Sequence, residues 1–285
     1  MKTPIPLLYL ILSGSLPAAT TFLATNNTDF NDASNWSNGL PGADNPGTSE
    51  ADGTLSANFS NGGQQTGDES FTIHSNINTS TFTFAMGGSG DRLLIGHTTT
   101  GSLTVNNGGA LTAIGASQDV RIGFAGGTGS LIFENGSSID TRKSMIVTRG
   151  LLSFGSDVTT LQNGIQNNLL IAGEGTLAFQ IDGAMNYHTI VGSTVTLDMA
   201  TNSTLELDFA AAPTTGTVLN LVNDVESFVG TFTNVNATGL AQGQSIQLIY
   251  NTTDGLLQAE VVPEPGTAGL LGLAGIVLIF RKRRG

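Results

Sequence analysis

Residues 101–111 read GSLTVNNGGAL, and residues 129–139 read GSLIFENGSSI. An Ile-Gly pair precedes each copy, at 95–96 and at 122–123, so the offset is 27 residues at this pair and 28 at the Gly-Ser-Leu run. Each unit predicts a short strand, a glycine turn, a second strand with apolar residues at alternate positions, and an Asn-Gly-type turn. Looser copies follow at residues 170–179 and 202–207.

A strand pair with one apolar face cannot bury that face alone, but stacked copies can. We therefore predict an all-β chain with a right-handed parallel β-helix, or solenoid, over about residues 70–210. A β-sandwich of antiparallel hairpins is the alternative, because the Asn-Gly pairs at 107–108 and 135–136 are also hairpin signals. The predicted interior columns are Leu103 with Leu131 and Leu177, and Val105 with Phe133 and Phe179.

The composition restricts the class of protein. Residues 20–260 hold five Lys or Arg and 21 Asp or Glu, which argues against nucleic acid or anionic lipid as a partner. The chain has no cysteine, so disulfides and thiolate chemistry are excluded. No window of the body shows the apolar recurrence of an amphipathic helix.

The carboxyl-terminal residues form three consecutive parts. Residues 263–265 are Pro-Glu-Pro, residues 266–280 carry no charge, and residues 281–284 are Arg-Lys-Arg-Arg. We predict a transmembrane helix over 266–280, although at ~1.5 Å per residue it would be roughly 22 Å long, short of a hydrocarbon core of about 30 Å. The basic cluster would remain cytoplasmic. A small tail anchor with a coincidental Pro-Glu-Pro is the alternative.

This tail, over residues 261–285, resembles the PEP-CTERM sorting tail of Gram-negative bacteria. The resemblance implies a sorting motif at Pro263, Glu264 and Pro265, and a membrane stop at Arg281, Lys282, Arg283 and Arg284. It also implies recognition by exosortase, a membrane-embedded cysteine transpeptidase-like enzyme that removes the hydrophobic part. The passenger is then exported to the cell surface or into extracellular polysaccharide. The family shares its tail and not its body, so the resemblance implies a destination and no activity.

The amino terminus is consistent with export. Lys2 precedes a short apolar core and a run of small residues that ends in Ala18-Ala19. This arrangement predicts a secretory signal peptide over 1–19, recognised by the Sec machinery, with cleavage after Ala18 or Ala24 as alternatives. A buried amino-terminal strand is the non-secretory interpretation.

The segments beside the repeats are predicted to close the ends of the stack. Residues 33–44 read ASNWSNGLPGAD, and with the Gly-Ser-Leu repeats this resembles autotransporter passengers and many PEP-CTERM proteins. We expect residues 20–69 to form a capping region in which Trp36 covers the first rung; a carbohydrate-stacking role for Trp36 is the alternative. Residues 211–260 are predicted to form an antiparallel cap, with strands at 218–222, 228–232, 246–250 and 256–261.

Candidate chemical sites are sparse. Glu206 and Asp208 would point to one strand face about 7 Å apart, as a possible acid pair or as a solvated stripe. Residues 87–91 match the calcium nonapeptide repeat only in part and only once. The three histidines, His74, His97 and His188, lack metal-ligand spacing and are expected to face solvent. Arg149 and its neighbours at 142–143 are expected to contact Asp140.

We therefore expect no enzyme, no metal and no cofactor. The sequence predicts a structural or adhesive protein of the cell surface or extracellular matrix, which crosses the inner membrane through a membrane-anchored precursor. Extracellular polysaccharide is a candidate partner. The alternatives are a β-helical polysaccharide-active enzyme, a glycan-binding module and a calcium-stabilised binding module.

Overall fold

The computed structural model describes residues 20–23, 32–40, 47–48, 56–59, 63–67, 71–73, 76–86, 92–114, 119–141, 144–160, 165, 168–192 and 194–264. Within these residues the chain is almost entirely strand and turn, with one 3-10 turn at Ala33–Asn35. The strands are β1 Thr20–Thr21, β2 Gly47–Thr48, β3 Ser56–Phe59, β4 Gly63–Gly67, β5 Phe71–Ile73, β6 Asn76–Met86, β7 Arg92–Ile95, β8 Thr100–Ile114, β9 Asp119–Ile122, β10 Thr128–Phe133, β11 Ser138–Thr141, β12 Met145–Phe154, β13 Thr159–Thr160, β14 Asn168–Ile181, β15 Ile190–Val191, β16 Thr196–Met199, β17 Thr204–Phe209, β18 Val218–Asn223, β19 Ser227–Gly230, β20 Asn234–Thr238, β21 Gln244–Asn251 and β22 Leu256–Pro263.

Most strands stack in parallel along three ladders. Ladder A consists of β1, β2, β5, β7, β9, the first parts of β12 and β14, then β16 and β19. Ladder B consists of β3, the first parts of β6 and β8, β10, the second parts of β12 and β14, then β17 and β20. Ladder C consists of β4, the second parts of β6 and β8, β11 and β13. The predicted parallel solenoid is confirmed, and the β-sandwich alternative is wrong.

Two columns of ladder B fill the interior. One stacks Leu103, Leu131, Leu152, Leu177 and Leu205, all fully buried. The other stacks Val105, Phe133, Phe154, Phe179 and Leu207. Successive phenylalanine rings in it lie 5.4 and 5.9 Å apart, centre to centre. Both predicted columns are confirmed, and each gains a member from residues 150–154, a rung that the repeat comparison missed.

Glycine is required where ladder A turns into ladder B. Gly123 has φ +65°, and a Cβ at this position would lie 1.5 Å from the Arg149 carbonyl oxygen of the next rung. The backbones of neighbouring rungs therefore approach each other more closely than any side chain allows. The Ile-Gly pair of the sequence repeat marks this corner.

The amino-terminal end of the described body is closed by aromatic packing. The rings of Phe22 and Trp36 meet edge to face at 5.0 Å, and the two residues form an antiparallel bridge. Only 4 % of Trp36 is exposed, which suits a cap and leaves little of the ring for stacking on a sugar. The predicted signal peptide, 1–19, lies outside the described residues.

A separate sheet forms the carboxyl-terminal end, in the order β15–β18–β22–β21. The β18–β22 and β22–β21 pairs are antiparallel, as predicted for the cap. The prediction that residues 228–232 belong to it is wrong, because β19 instead pairs in parallel with β16 on ladder A. In that register Phe228 lies beside the buried Leu197 and continues its column, while its ring also meets Tyr250 of the cap edge to face.

Within the described residues, no helix has the length and apolar character needed to span a membrane. The predicted span at 266–280 lies outside those residues.

Candidate functional site

The structure describes two residues of the predicted sorting motif. Pro263 is the last residue of β22, and Glu264 follows it; both are exposed. Pro265 lies outside the described residues, as do Arg281, Lys282, Arg283 and Arg284 of the predicted membrane stop. The motif therefore begins inside the folded cap, without a spacer.

The strand that leads to the motif is held on both sides. Toward β18, Val261 donates its N–H to the Thr217 carbonyl (2.9 Å) and accepts at its own carbonyl from the Gly216 N–H (2.7 Å). Toward β21, pairing continues to Pro263 opposite Gln244, and Glu264 donates its N–H to the Gly243 carbonyl (2.8 Å). Since Val261 is also fully buried, the motif is attached directly to the core of the cap.

Pro263 occupies a position in the strand that suits a residue without an N–H. Successive residues of an antiparallel strand direct their backbone groups to opposite sides. Val261 points toward β18 and Glu264 toward β21, so a backbone N–H at 263 would point toward β18. No residue of β18 lies opposite it, because the register of β18 with β22 ends at Val218 opposite Glu260. Proline therefore removes no sheet hydrogen bond there.

A second feature is a groove on the outer face of ladder B that the sequence did not predict. Ile132, Ser153, Ala178, Glu206 and Asn236 form one outward row across neighbouring strands. Ser153 and Ala178 have the smallest side chains of this row, and both are buried although they point outward. The row therefore has small side chains at its centre and larger ones at its ends.

Three clefts lie along this groove, with volumes of about 390, 230 and 480 Å³. The first and second share Asn135 and Gln180, and the second and third share Asp208. Their polar lining consists of carboxylates, amides and hydroxyls, contributed by Glu134, Asn135, Ser156, Gln180, Asp182, Glu206, Asp208, Asn236 and Thr238.

Glu206 and Asp208 share the exposed face of β17 at the cleft of about 480 Å³, the largest of these three by volume. Asp208 accepts a hydrogen bond from the Thr238 hydroxyl of the next rung. In the cleft between the other two, Asp182 accepts hydrogen bonds from the backbone N–H groups of Ala184 and Asn186 at 2.9 and 2.8 Å. The side-chain amide and the backbone N–H of Asn186 lower the pKa of Asp182, so this carboxylate is ionised at neutral pH.

The prediction that the histidines face solvent is wrong for His188. His188 is buried, stacks on Phe154 at 4.5 Å, and has Nδ1 2.8 Å from the Val158 carbonyl. Burial lowers its pKa below 6.5. His97 is half-buried and stacks on Phe124 at 5.7 Å, whereas His74 lies outside the described residues. Residues remote in the sequence enclose His188, and no local pattern could have revealed this.

The structure describes only part of the predicted basic cluster and none of the calcium-like segment. Arg149 pairs with Glu174, with 3.3 Å between Nε and the carboxylate, and also donates to the Gly126 carbonyl. The expected contact of Arg149 with Asp140 is therefore replaced by one across neighbouring strands of ladder B. Residues 87–91 and 142–143 lie outside the described residues. Within the part of the chain that the structure describes, no three His, Asp or Glu side chains converge as metal ligands would.

Comparison with known proteins identifies the carboxyl terminus only. No curated protein and no solved structure matches the chain. One family model matches, the PEP-CTERM protein-sorting motif, over residues 261–284. The match begins at Val261, inside β22, and includes all seven predicted site residues. The chain thus carries a PEP-CTERM sorting motif on a β-solenoid body, and this motif implies export by exosortase-dependent sorting through a membrane-anchored precursor in a Gram-negative bacterium.

Proposed function

We propose that this protein is a non-enzymatic structural or adhesive component of the bacterial cell surface or extracellular matrix. Exosortase releases the body from its membrane-anchored precursor, after a signal peptide has directed it through the Sec machinery. The solenoid then acts as an extended acidic surface among extracellular polymers.

The observation that carries this proposal is the junction between the sorting motif and a stacked β-body. Pro263 ends a strand of the cap, so the motif presents a folded repeat protein to the sorting enzyme. The columns of ladder B bury leucine and phenylalanine continuously, so apolar packing between rungs stabilises a body that has no cysteine. Such a stack suits a durable extracellular component.

Cell fractionation tests the destination. In a Gram-negative host that carries exosortase, the full chain is expected at the cell surface or in the medium, without its apolar tail. The triple variant Pro263→Ala, Glu264→Ala, Pro265→Ala is expected to keep the tail and to remain in the inner-membrane fraction. Glu226→Ala, which changes an exposed acid of the body, is the control and should fractionate as the wild type. Intact chain that is soluble in the cytosol would contradict the proposal.

Incubation with polysaccharides tests the role of the body. Purified exported protein is expected to bind or co-sediment with extracellular polymer without shortening it. Rapid depolymerisation by nanomolar protein would contradict the structural role and would favour an enzyme.

A polysaccharide-binding or polysaccharide-active groove is the second candidate, and the outer face of ladder B favours it. Glu206 and Asp208 lie two residues apart on one exposed face, roughly 7 Å from each other along the strand, within the range of carboxylate pairs in glycoside hydrolases. The variant Glu206→Gln should abolish hydrolysis if the pair is catalytic. Glu260→Gln, on the cap, is the matched control.

A further inference from the structure

The two ends of the described solenoid differ in how they cover its interior columns. At the amino-terminal end, Phe22 and Trp36 are buried and pack edge to face. At the carboxyl-terminal end, Val235 stacks on the fully buried Leu205 and continues its column, yet 37 % of Val235 is exposed. Phe228 of ladder A is likewise only half-buried at this end. The last rung therefore leaves part of its apolar interior open to solvent.

The strand β21 lies beside this open end and is itself incompletely covered. Three apolar side chains of β21 share the inner face of the cap sheet with buried residues of β22 but are only half-buried themselves, namely Ile246, Leu248 and Tyr250. The ring of Tyr250 also meets Phe228 of the last rung, with 5.9 Å between the ring centres. The open end of the columns and the inner face of β21 thus form one apolar surface.

The backbone of β21 has a free side. The Gly243 carbonyl accepts from the Glu264 N–H, so the backbone groups of Gly243 face β22. Because successive residues of an antiparallel strand alternate in direction, Ile246, Leu248 and Tyr250 direct their N–H and C=O groups away from β22. Within the part of the chain that the structure describes, no strand pairs with β21 on that side. The edge of an eight-residue strand is thus available for pairing.

This end of the body also lacks charge. Residues 227–253, which include the last rung and β21, contain no charged side chain and no proline, although the chain has a net charge of −12. Edge strands of monomeric proteins are commonly protected by charges or prolines against pairing with another chain, and β21 has neither. Two copies of so acidic a chain repel each other where their charged faces meet, so an uncharged end is where they can approach.

We propose that two copies of this chain associate at this end, with β21 of one copy paired antiparallel to β21 of the other. The inference goes beyond the proposed function, because it assigns a second copy of the chain to a surface of the body. It does not depend on how the tail is processed.

The sequence of β21 allows a register that uses the backbone groups at its free edge. With a two-fold axis between Leu248 of the two copies, Ile246 lies opposite Tyr250 of the second copy. All three residues present their backbone groups at the free edge, so each position becomes a hydrogen-bonded pair. Their side chains lie on one face, where they meet as apolar cross-strand pairs beside the open columns. The cap sheets of the two copies then form one continuous sheet.

Such a pair closes on itself. A two-fold contact uses the same surface on both copies and leaves no further copy of that surface free. Since Phe22 and Trp36 cover the opposite end of the described body, we expect a dimer joined at the carboxyl-terminal ends and not a filament.

Cross-linking tests the register, and it is selective because the chain has no cysteine of its own. In the proposed pair the Cα atoms of the two Leu248 residues lie about 5.5 Å apart, within the ~4.4–6.8 Å that a disulfide spans. Ser245 lies opposite Asn251 of the second copy, which leaves roughly 20 Å between the two Ser245 residues. After oxidation of the purified full chain in detergent, Leu248→Cys should migrate as a dimer on non-reducing gels, and Ser245→Cys as a monomer. Equal cross-linking of the two variants, or none in Leu248→Cys, would overturn the inference.

Sedimentation of the purified exported protein tests the association without a cysteine. At micromolar concentration the wild type should have about twice the mass of one copy. Leu248→Glu should have the mass of one copy, because two carboxylates would meet at the axis. Thr201→Glu adds the same charge to an exposed turn outside residues 227–253 and should remain a dimer.

Circular dichroism of the three proteins shows whether each variant is folded, so that loss of the dimer can be distinguished from loss of the fold. A wild type with the mass of one copy would overturn the inference and leave the surface to a different partner. An assembly that folded Leu248→Glu leaves intact would also overturn it, because the contact would then lie elsewhere on the body.

Discussion

The ladders and the cap bury their apolar residues in different ways. In ladder B each leucine lies on the leucine of the next rung, although successive members are 28, 21, 25 and 28 residues apart in the chain. In the cap, β21 and β22 are neighbours along the chain, and Asn251 already pairs with Leu256. Stacking spreads stability over many equivalent contacts between neighbouring rungs, whereas the cap combines this hairpin with β15 and β18 from earlier in the chain.

The difference explains where the sorting motif lies. A rung of the stack has a neighbour on both sides, so a chain end there would interrupt a column. The central strand of the cap, β22, ends at the edge of its sheet with Pro263, which has no backbone N–H to leave unpaired. The repetitive part therefore supplies rigidity, and the non-repetitive part presents the signal.

The largest expected effect comes from a phenylalanine inside the stack. Phe154 is fully buried and its ring lies between those of Phe133 and Phe179. Phe154→Ala should lower the free energy of unfolding by about 3–5 kcal/mol through lost burial and the cavity left behind. Urea unfolding of the purified exported protein, followed by circular dichroism, measures it.

Phe228→Ala is the matched change beside the cap. Phe228 is only half-buried and meets Tyr250 edge to face, so its loss should be about half as large. Equal losses for the two variants would show that the last rung and the cap contribute as much as the interior of the stack.

A smaller difference in stability is expected between alanine variants of two glycines, Gly123 at a corner of the solenoid and Gly243 in a turn of the cap. Gly123→Ala places a Cβ 1.5 Å from the Arg149 carbonyl oxygen at φ +65°, which forces two rungs apart. We expect a loss of about 2–5 kcal/mol from the left-handed backbone and the displaced neighbour together. Gly243→Ala has the same sign of φ, +80°, and open space around it, so only about 1–2 kcal/mol should be lost.

Thermal unfolding of both variants measures this contrast. Similar losses for the two variants would mean that the left-handed backbone alone causes the destabilisation. The close approach of the rungs at Gly123 would then contribute nothing to it.

The repeats could be predicted because stacking imposes apolar residues at the same positions of every rung. Leucine and phenylalanine recur two residues apart after a glycine, and this pattern survives at Gly150, Leu152 and Phe154. That rung was missed because it follows only 21 residues after its neighbour and has leucine where the others have serine or threonine. Three rungs share the spacing Gly-x-Leu-x-Phe, at residues 129–133, 150–154 and 175–179, so this spacing is a better signal than a constant period.

The groove and the buried histidine could not be predicted, because both depend on register between segments remote in the sequence. Ser153 and Ala178 lie in one outward row with Ile132 and Glu206 only because of the register between neighbouring strands. The sorting motif was readable from its own residues, but its attachment to the sheet through Glu264 and Gly243 was not.

The smallest expected effect on stability concerns His188, which lies where the solenoid meets the cap. His188 stacks on Phe154 of the solenoid, and two residues later β15 begins and pairs with β18. Burial lowers the pKa of His188 below its ordinary 6.5, so the folded protein holds the neutral ring. The unfolded chain binds the proton first as the pH falls. Stability is therefore complete above about pH 6.5 and decreases as the pH falls from there toward the lowered pKa.

Urea midpoints between pH 7.5 and pH 5 should thus decline in the wild type and decline less in His188→Gln, which keeps a donor near the Val158 carbonyl. Asp182 does not interfere, because its pKa is lowered from 3.8 and it titrates below this range. Thr189→Val is the control, because it removes the hydrogen bond from the neighbouring Thr189 hydroxyl to the Asn220 carbonyl without changing a titratable group. Its urea midpoint should change with pH as that of the wild type does. If His188→Gln also keeps that slope, the imidazole is not what makes the joint between solenoid and cap sensitive to acid.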